Sequence, residues 1–152
     1  MKLAKVLAEK ENSSQIFTIA QNASIQNAAQ KMVINSIGAL IVLSNPDDPK
    51  SYSGIITERH IIISCAKSDN FPEKNVGDVM SDQMLITKVD DDVNDIMNIM
   101  TKSKKRYVPV WENNLIIGMI SIGDIIKSMH NEKEIRITYL SKMCGTYGNK
   151  VY

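Results

Sequence analysis

Apolar positions follow a helical period, then a strand-like run, then a helical period again, and the whole pattern occurs twice. Ile25, Ala28, Ala29, Met32 and Val33 fall at helical spacing behind Ser24, a good N-cap, and Val93, Ile96, Met97 and Met100 follow Asp92 in the same way. The runs GALIVL (38–43) and YVPVW (107–111) are short, apolar and β-rich. Each is expected to pair as a hairpin with the GII or LIIGMI run that follows it. A second helix then starts at Thr57 or Ser121, with expected buried stripes Ile61, Ile62 and Cys65 in one copy and Ile125, Ile126 and Met129 in the other.

The two copies align residue by residue. Ala28, Met32, Gly38 and Val42 recur 68 positions later as Ile96, Met100, Arg106 and Val110, whereas Gly54 and Thr57 recur 64 positions later as Gly118 and Ser121. The four-residue difference falls in NPDDPKSYS, whose prolines and aspartates mark a surface loop, where the second copy turns tightly through Glu112, Asn113 and Asn114. The expected fold is therefore α/β (α+β): two tandem β-α-β-β-α repeats. Neither unit buries both of its faces alone, so the copies should pack about a pseudo-twofold axis. The division is an N-terminal segment (1–14), a first repeat (15–70), a connector (71–84), a second repeat (85–131) and a C-terminal helix and tail (132–152). Val76, Val79 and Met80 give the connector an apolar face and a short helical reading. NEKEIRITYLSKM should form another amphipathic helix with Ile135, Tyr139, Leu140 and Met143 on one side, ahead of a loosely held GTYGNKVY tail.

Composition narrows the chemistry. A chain of 152 residues buries roughly 70% of its extended surface, enough for a core without staples. The two cysteines, Cys65 and Cys144, exclude a disulfide scaffold and a multi-cysteine zinc site. A formal charge of +1 offers no global attraction for nucleic acid. The N-terminus lacks an apolar stretch suited to a signal or a membrane span, so a cytoplasmic location is expected. His60 and His130 have no metal-ligand spacing, and Cys65 with His60, five residues apart on a helix, does not make a dyad. No phosphate loop of the GxxxxGK[ST] or GxGxxG kind is present. No catalysis, metal or required cofactor is expected.

Gly118-Met-Ile-Ser121-Ile-Gly-Asp124, the upstream Arg106-Tyr-Val-Pro109-Val, and Gly54-Ile-Ile-Thr57-Glu-Arg-His60 in the first copy carry a resemblance. Over about residues 15–130 the chain resembles the tandem cystathionine β-synthase (CBS) domain pair of small stand-alone proteins. The resemblance implies a cleft between paired repeats for an adenosine ligand such as AMP, ADP, ATP, NAD or S-adenosylmethionine, and dimerisation into a flat disc. The residues agree with it. Asp124, one turn into a helix, can accept from vicinal ribose hydroxyls, and Ser121 lies where helix N–H groups favour phosphate. Gly123 permits close approach, while Val89, Tyr107, Val108 and Pro109 offer apolar surface for adenine and Arg106 a phosphate ligand. Ser121-x-x-Asp124 is equally a variant capping box, and both roles are compatible.

The first copy departs from the pattern: His60 replaces the aspartate, and Gly38-Ala39 stands opposite Arg106-Tyr107. A weaker or degenerate site there would draw on Thr18, Ala39, Thr57, Arg59 and His60. Arg59 either reaches across the pseudo-twofold axis to a phosphate held by the second copy or faces solvent with Glu58. The leading expectation is a non-enzymatic regulatory module that binds an adenine nucleotide, forms a homodimer and signals to an effector protein. The competing expectation is an adaptor whose cleft has no physiological ligand.

Overall fold

The computed structural model describes residues 1–10 and 15–143. Helix α1 (Leu3–Glu9) precedes a first unit of β1 (Thr18–Ala20), α2 (Ile25–Asn35), β2 (Ala39–Leu43), β3 (Tyr52–Thr57) and α3 (Glu58–Lys67). The second unit is β4 (Thr87–Lys88), α4 (Val93–Ser103), β5 (Tyr107–Glu112), β6 (Leu115–Ser121) and α5 (Ile122–Met143). Two three-stranded sheets result, ordered β1-β2-β3 and β4-β5-β6. In each, the first pair is parallel and the second antiparallel.

The duplication extends to register. Val42 faces Gly54 as Val110 faces Gly118, Ala39 faces Thr57 as Tyr107 faces Ser121, and both hairpins shift register just after the valine. Helices α2 and α4 end alike, on Ser36 and Lys104 in left-handed conformation, each closed by its N–H on Met32 or Met100. The second hairpin turns through Asn113 and Asn114 at φ 49° and 62°, a conformation that asparagine tolerates.

Burial explains the composition of β2, whose five residues are all inside. Leu40 and Val42 face α2 and join Ala28, Met32 and Ile56, whereas Ile41 and Leu43 face the other sheet and meet Ile116. Such two-sided burial requires a continuous apolar run instead of an alternating one. Tyr52 and Trp111 close the inter-sheet layer edge to face, centroids 5.2 Å apart, and Tyr52 accepts from Ile116 N at 3.1 Å.

Each repeat is completed by the segment that precedes the other. Leu3 and Val6 of α1 lie in the second repeat's core with Val93, Met100 and Ile120, while Val76 of the connector lies in the first repeat's core. The backbone bonds match: Leu3 N donates to Asp91 O and Ala4 N to Val89 O, as Val76 N donates to Ala23 O and Gly77 N to Gln21 O.

Four expectations need correction. The connector is two single 3₁₀ turns, Phe71–Glu73 and Val76–Asp78, because Lys74, Val76, Gly77 and Ser81 between and after them spend backbone groups on the first repeat. The segment after the second repeat is no separate helix: α5 runs unbroken through it, with no glycine or proline to stop it, and Ile135, Tyr139, Leu140 and Met143 are all exposed. In α3, Ile62 and Cys65 face outward and Ser64 is the buried position; Ser128 is buried at the equivalent place in α5, where Ile126 is exposed. In α2, Val33 is exposed as well. The tail after Met143 lies outside the described residues.

Candidate functional site

Two clefts open between the repeats, one around Asp124 and one around His60, with volumes of about 590 and 630 Å³. Both are positioned by a hairpin whose last residue caps the next helix. Ser121 N and Ser121 Oγ each donate to Asp124 Oδ2 at 2.8 Å, and Asp124 N donates back to Ser121 Oγ at 3.2 Å, which completes a capping box. In the first repeat Thr57 N donates to His60 Nδ1 at 3.0 Å. The same capping bond is therefore made to a carboxylate in one repeat and to an imidazole in the other.

Asp124 meets a residue from the far end of the sequence. Lys10, just beyond α1, donates to Asp124 Oδ2 at 3.0 Å and to Met119 O at 2.7 Å. All of these bonds fall on Oδ2, and Oδ1 has no partner among the described residues. Burial raises the Asp124 carboxyl, but the bonds from Ser121 and Lys10 outweigh it and hold the group below the usual aspartate value. Around it the cleft is lined by Phe17, Ile37, Gly38 and Ala39 of the first repeat and by Arg106 and Tyr107 of the second.

The His60 ring is held below the usual histidine value by burial first, then by the charges of Arg59 and Lys105. With Nδ1 accepting from Thr57, the proton of the neutral ring resides on Nε2. Arg59 lines this cleft together with Lys104, Lys105, Arg106 and Tyr107 from the second repeat. Arg106 and Tyr107 thus border both clefts. Glu58 sits between them: Tyr107 OH donates to Glu58 Oε1 at 3.3 Å, and Arg106 Nη1 lies 3.6 Å from the same oxygen. Burial and the Glu58 charge raise the Tyr107 hydroxyl. A Cβ on Gly38 would collide with Tyr107 OH and Glu58 Oε2, so a side chain equivalent to Arg106 in the first repeat would have to displace the ends of both.

Of the residues expected from sequence to bind a ligand, Arg106, Tyr107, Ser121, Gly123 and Asp124 share one cleft, which Ala39 also lines, and Thr57, Arg59 and His60 share the other. Val89, Val108 and Pro109 do not join them. Val89 and Val108 pack in the second repeat's core, and Pro109 is buried with its carbonyl accepting from Thr87 Oγ1 at 2.7 Å. Thr18 is in neither lining; its carbonyl takes Lys31 Nζ at 2.6 Å. Val108 and Pro109 are neighbours in β5 and both are buried, because that sheet is covered on both faces, and Val89 sits in the turn just after β4. Sequence reading missed Lys10, Phe17 and Ile37, which reach the Asp124 cleft only through tertiary packing, and it left Glu58 no role beyond solvent exposure.

Comparison with known proteins agrees with this fold. A family model described as "CBS domain" matches residues 12–67 and 76–131. The chain is 30% identical over 115 residues to the mitochondrial CBS domain-containing protein CBSX3 of Arabidopsis thaliana, covering 72% of this chain and 54% of that protein, so it spans about half the length of that relative. A CBS-domain containing protein from Agrobacterium tumefaciens superposes with TM-score 0.78 at 28% identity, covering 85% of this chain and 99% of that one. The CBS domain pair of protein MJ0100 superposes with TM-score 0.72 at 21% identity, over 87% and 98% of the two chains.

Proposed function

The chain belongs to the CBS domain family as a tandem pair, and from that premise we propose that it is a regulatory, non-catalytic module that takes an adenosine-containing ligand in the Asp124 cleft and reports occupancy to a partner protein. The observation that carries this reading is the half-satisfied Asp124 carboxylate. Oδ2 is held rigidly by the capping box while Oδ1 stays without a partner among the described residues, at the border of a cleft large enough for a nucleoside. A fixed, ionised acceptor suits ribose hydroxyls. The MJ0100 pair is known in complex with 5′-methylthioadenosine and S-adenosyl-L-methionine, which supports the ligand class.

In this reading the sugar binds Asp124, the base lies against Phe17 and the Ile37–Ala39 backbone, and a phosphate exchanges with Glu58 at Arg106. That ion pair is largely exposed and therefore cheap to exchange. A ligand that touches both repeats favours one arrangement of them by its difference in affinity between states, and no more. Ile62 and Ile126, exposed at equivalent places on α3 and α5, provide the surface for self-association into a homodimer.

The test is thermal unfolding with AMP, ATP, NAD and S-adenosylmethionine on wild type and Asp124→Ala. A ligand at 100 times its Kd stabilises by about 2.7 kcal/mol, and Asp124→Ala removes the effect. No shift with any of them favours the second reading, an adaptor without a ligand. One observation speaks for that alternative: Lys10 and Ser121 already occupy Asp124 Oδ2 from within the chain.

A further inference from the structure

The His60 cleft has the opposite chemistry to its counterpart. Where Asp124 offers only acceptors, the neutral His60 ring has spent its one acceptor on Thr57 N and presents an N–H at Nε2. Arg59, Lys104, Lys105 and Arg106 line the same cavity against the single carboxylate of Glu58. This concentration of positive charge belongs to a chain whose formal net charge is only +1. The side chains of Arg59 and Lys104 make no hydrogen bond or ion pair with any other described residue. Lys105 is tied to Gln83 O, and Arg106 shares Glu58 with Tyr107. The cavity is therefore rich in donors, poor in acceptors and short of negative charge, and the carboxylate a ribose would meet there, Glu58, is already engaged by Tyr107 and Arg106.

We propose that the His60 cleft is a binding site for a condensed phosphate, a compact anion of high charge density that needs no sugar for recognition. A single carboxylate would neutralise one of these cations, whereas an oligophosphate presents acceptors to Arg59, Lys104 and Arg106 together. Arginine supplies a planar fork for two oxygens and the lysine a point charge. Because Arg106 and Tyr107 border both clefts, the phosphate has two possible sources: a free oligophosphate, or the tail of a nucleotide whose adenosine occupies the Asp124 cleft. Only the second source rests on the adenosine reading above.

Calorimetry with pyrophosphate, AMP and ATP on wild type, Arg59→Ala, Lys104→Asn and Asp124→Asn tests the site. Lys104 has φ 56°, which asparagine accepts, so the variant keeps the helix end while losing the charge. Losing a charged hydrogen bond weakens binding about tenfold. Pyrophosphate should bind wild type, about tenfold more weakly to Arg59→Ala and to Lys104→Asn, and undiminished to Asp124→Asn. If those two variants also weaken ATP but not AMP, the tail is the source; if ATP and AMP are unaffected, the source is free phosphate. The site is overturned if neither pyrophosphate nor ATP responds to either variant. AMP indifferent to Asp124→Asn sinks the adenosine reading alone.

Discussion

Thr57 N reaches His60 Nδ1 at 3.0 Å and Ser121 N reaches Asp124 Oδ2 at 2.8 Å, so the two clefts share one capping bond and differ in the atom that accepts it. The fold needs only an acceptor at that place. A carboxylate retains acceptor capacity after the cap is made and brings a negative charge, which Lys10 partly offsets. An imidazole retains a donor and no charge, and the surrounding Arg59 and Lys105 go unopposed at that position. Duplication thus preserved the scaffold's hydrogen bond while it released the ligand chemistry to diverge. The spare room diverged with it, since the ends of Tyr107 and Glu58 fill the space beside Gly38 that a second arginine would need.

The largest effect expected from this difference is on adenosine binding. Asp124→Ala should weaken it about a hundredfold, as two charged hydrogen bonds predict, and His60→Ala less than about threefold. Equal losses at the two positions, read by calorimetry, would mean that the clefts have been ranked in the wrong order. Next come the exchanged covers. Leu3→Ala should destabilise the protein by about 3 kcal/mol, because it empties a fully buried place in the second repeat's core from a segment that precedes the first. A loss under about 1 kcal/mol in urea denaturation would detach α1 from that core.

The clefts should also titrate in separate windows. His60 has its folded value lowered from 6.5, so its contribution is complete above about pH 6.5 and is lost as pH falls through the lowered value. Asp124, lowered from 3.8, contributes fully above about pH 3.8 and loses that contribution in stronger acid. Unfolding between pH 7 and 5 should therefore show a decline in wild type that His60→Gln reduces; an unchanged slope contradicts the assignment. The smallest effect belongs to Lys10→Met. It should cost under about 1 kcal/mol, because the ion pair is partly open to solvent. The Asp124 carboxyl should nonetheless titrate at higher pH, which carbon-detected NMR can read.

Period and spacing determined a good deal by themselves. The 68- and 64-residue correspondences locate both hairpins and both cap positions, and the structure reproduces them in register. Ser121 and Asp124 were legible because capping is local chemistry, complete within one helical turn. Tertiary structure decided what is not local. It placed α1 on the second repeat and the connector on the first, brought Lys10 to Asp124 and Glu58 to Arg106, and turned Val89 and Val108 into the core. Helical and strand periods say which face of an element is apolar, but not which distant segment covers it or which charge arrives beside it. That choice follows from the packing of two sheets that share a buried layer, and the chemistry of each cleft follows from the packing.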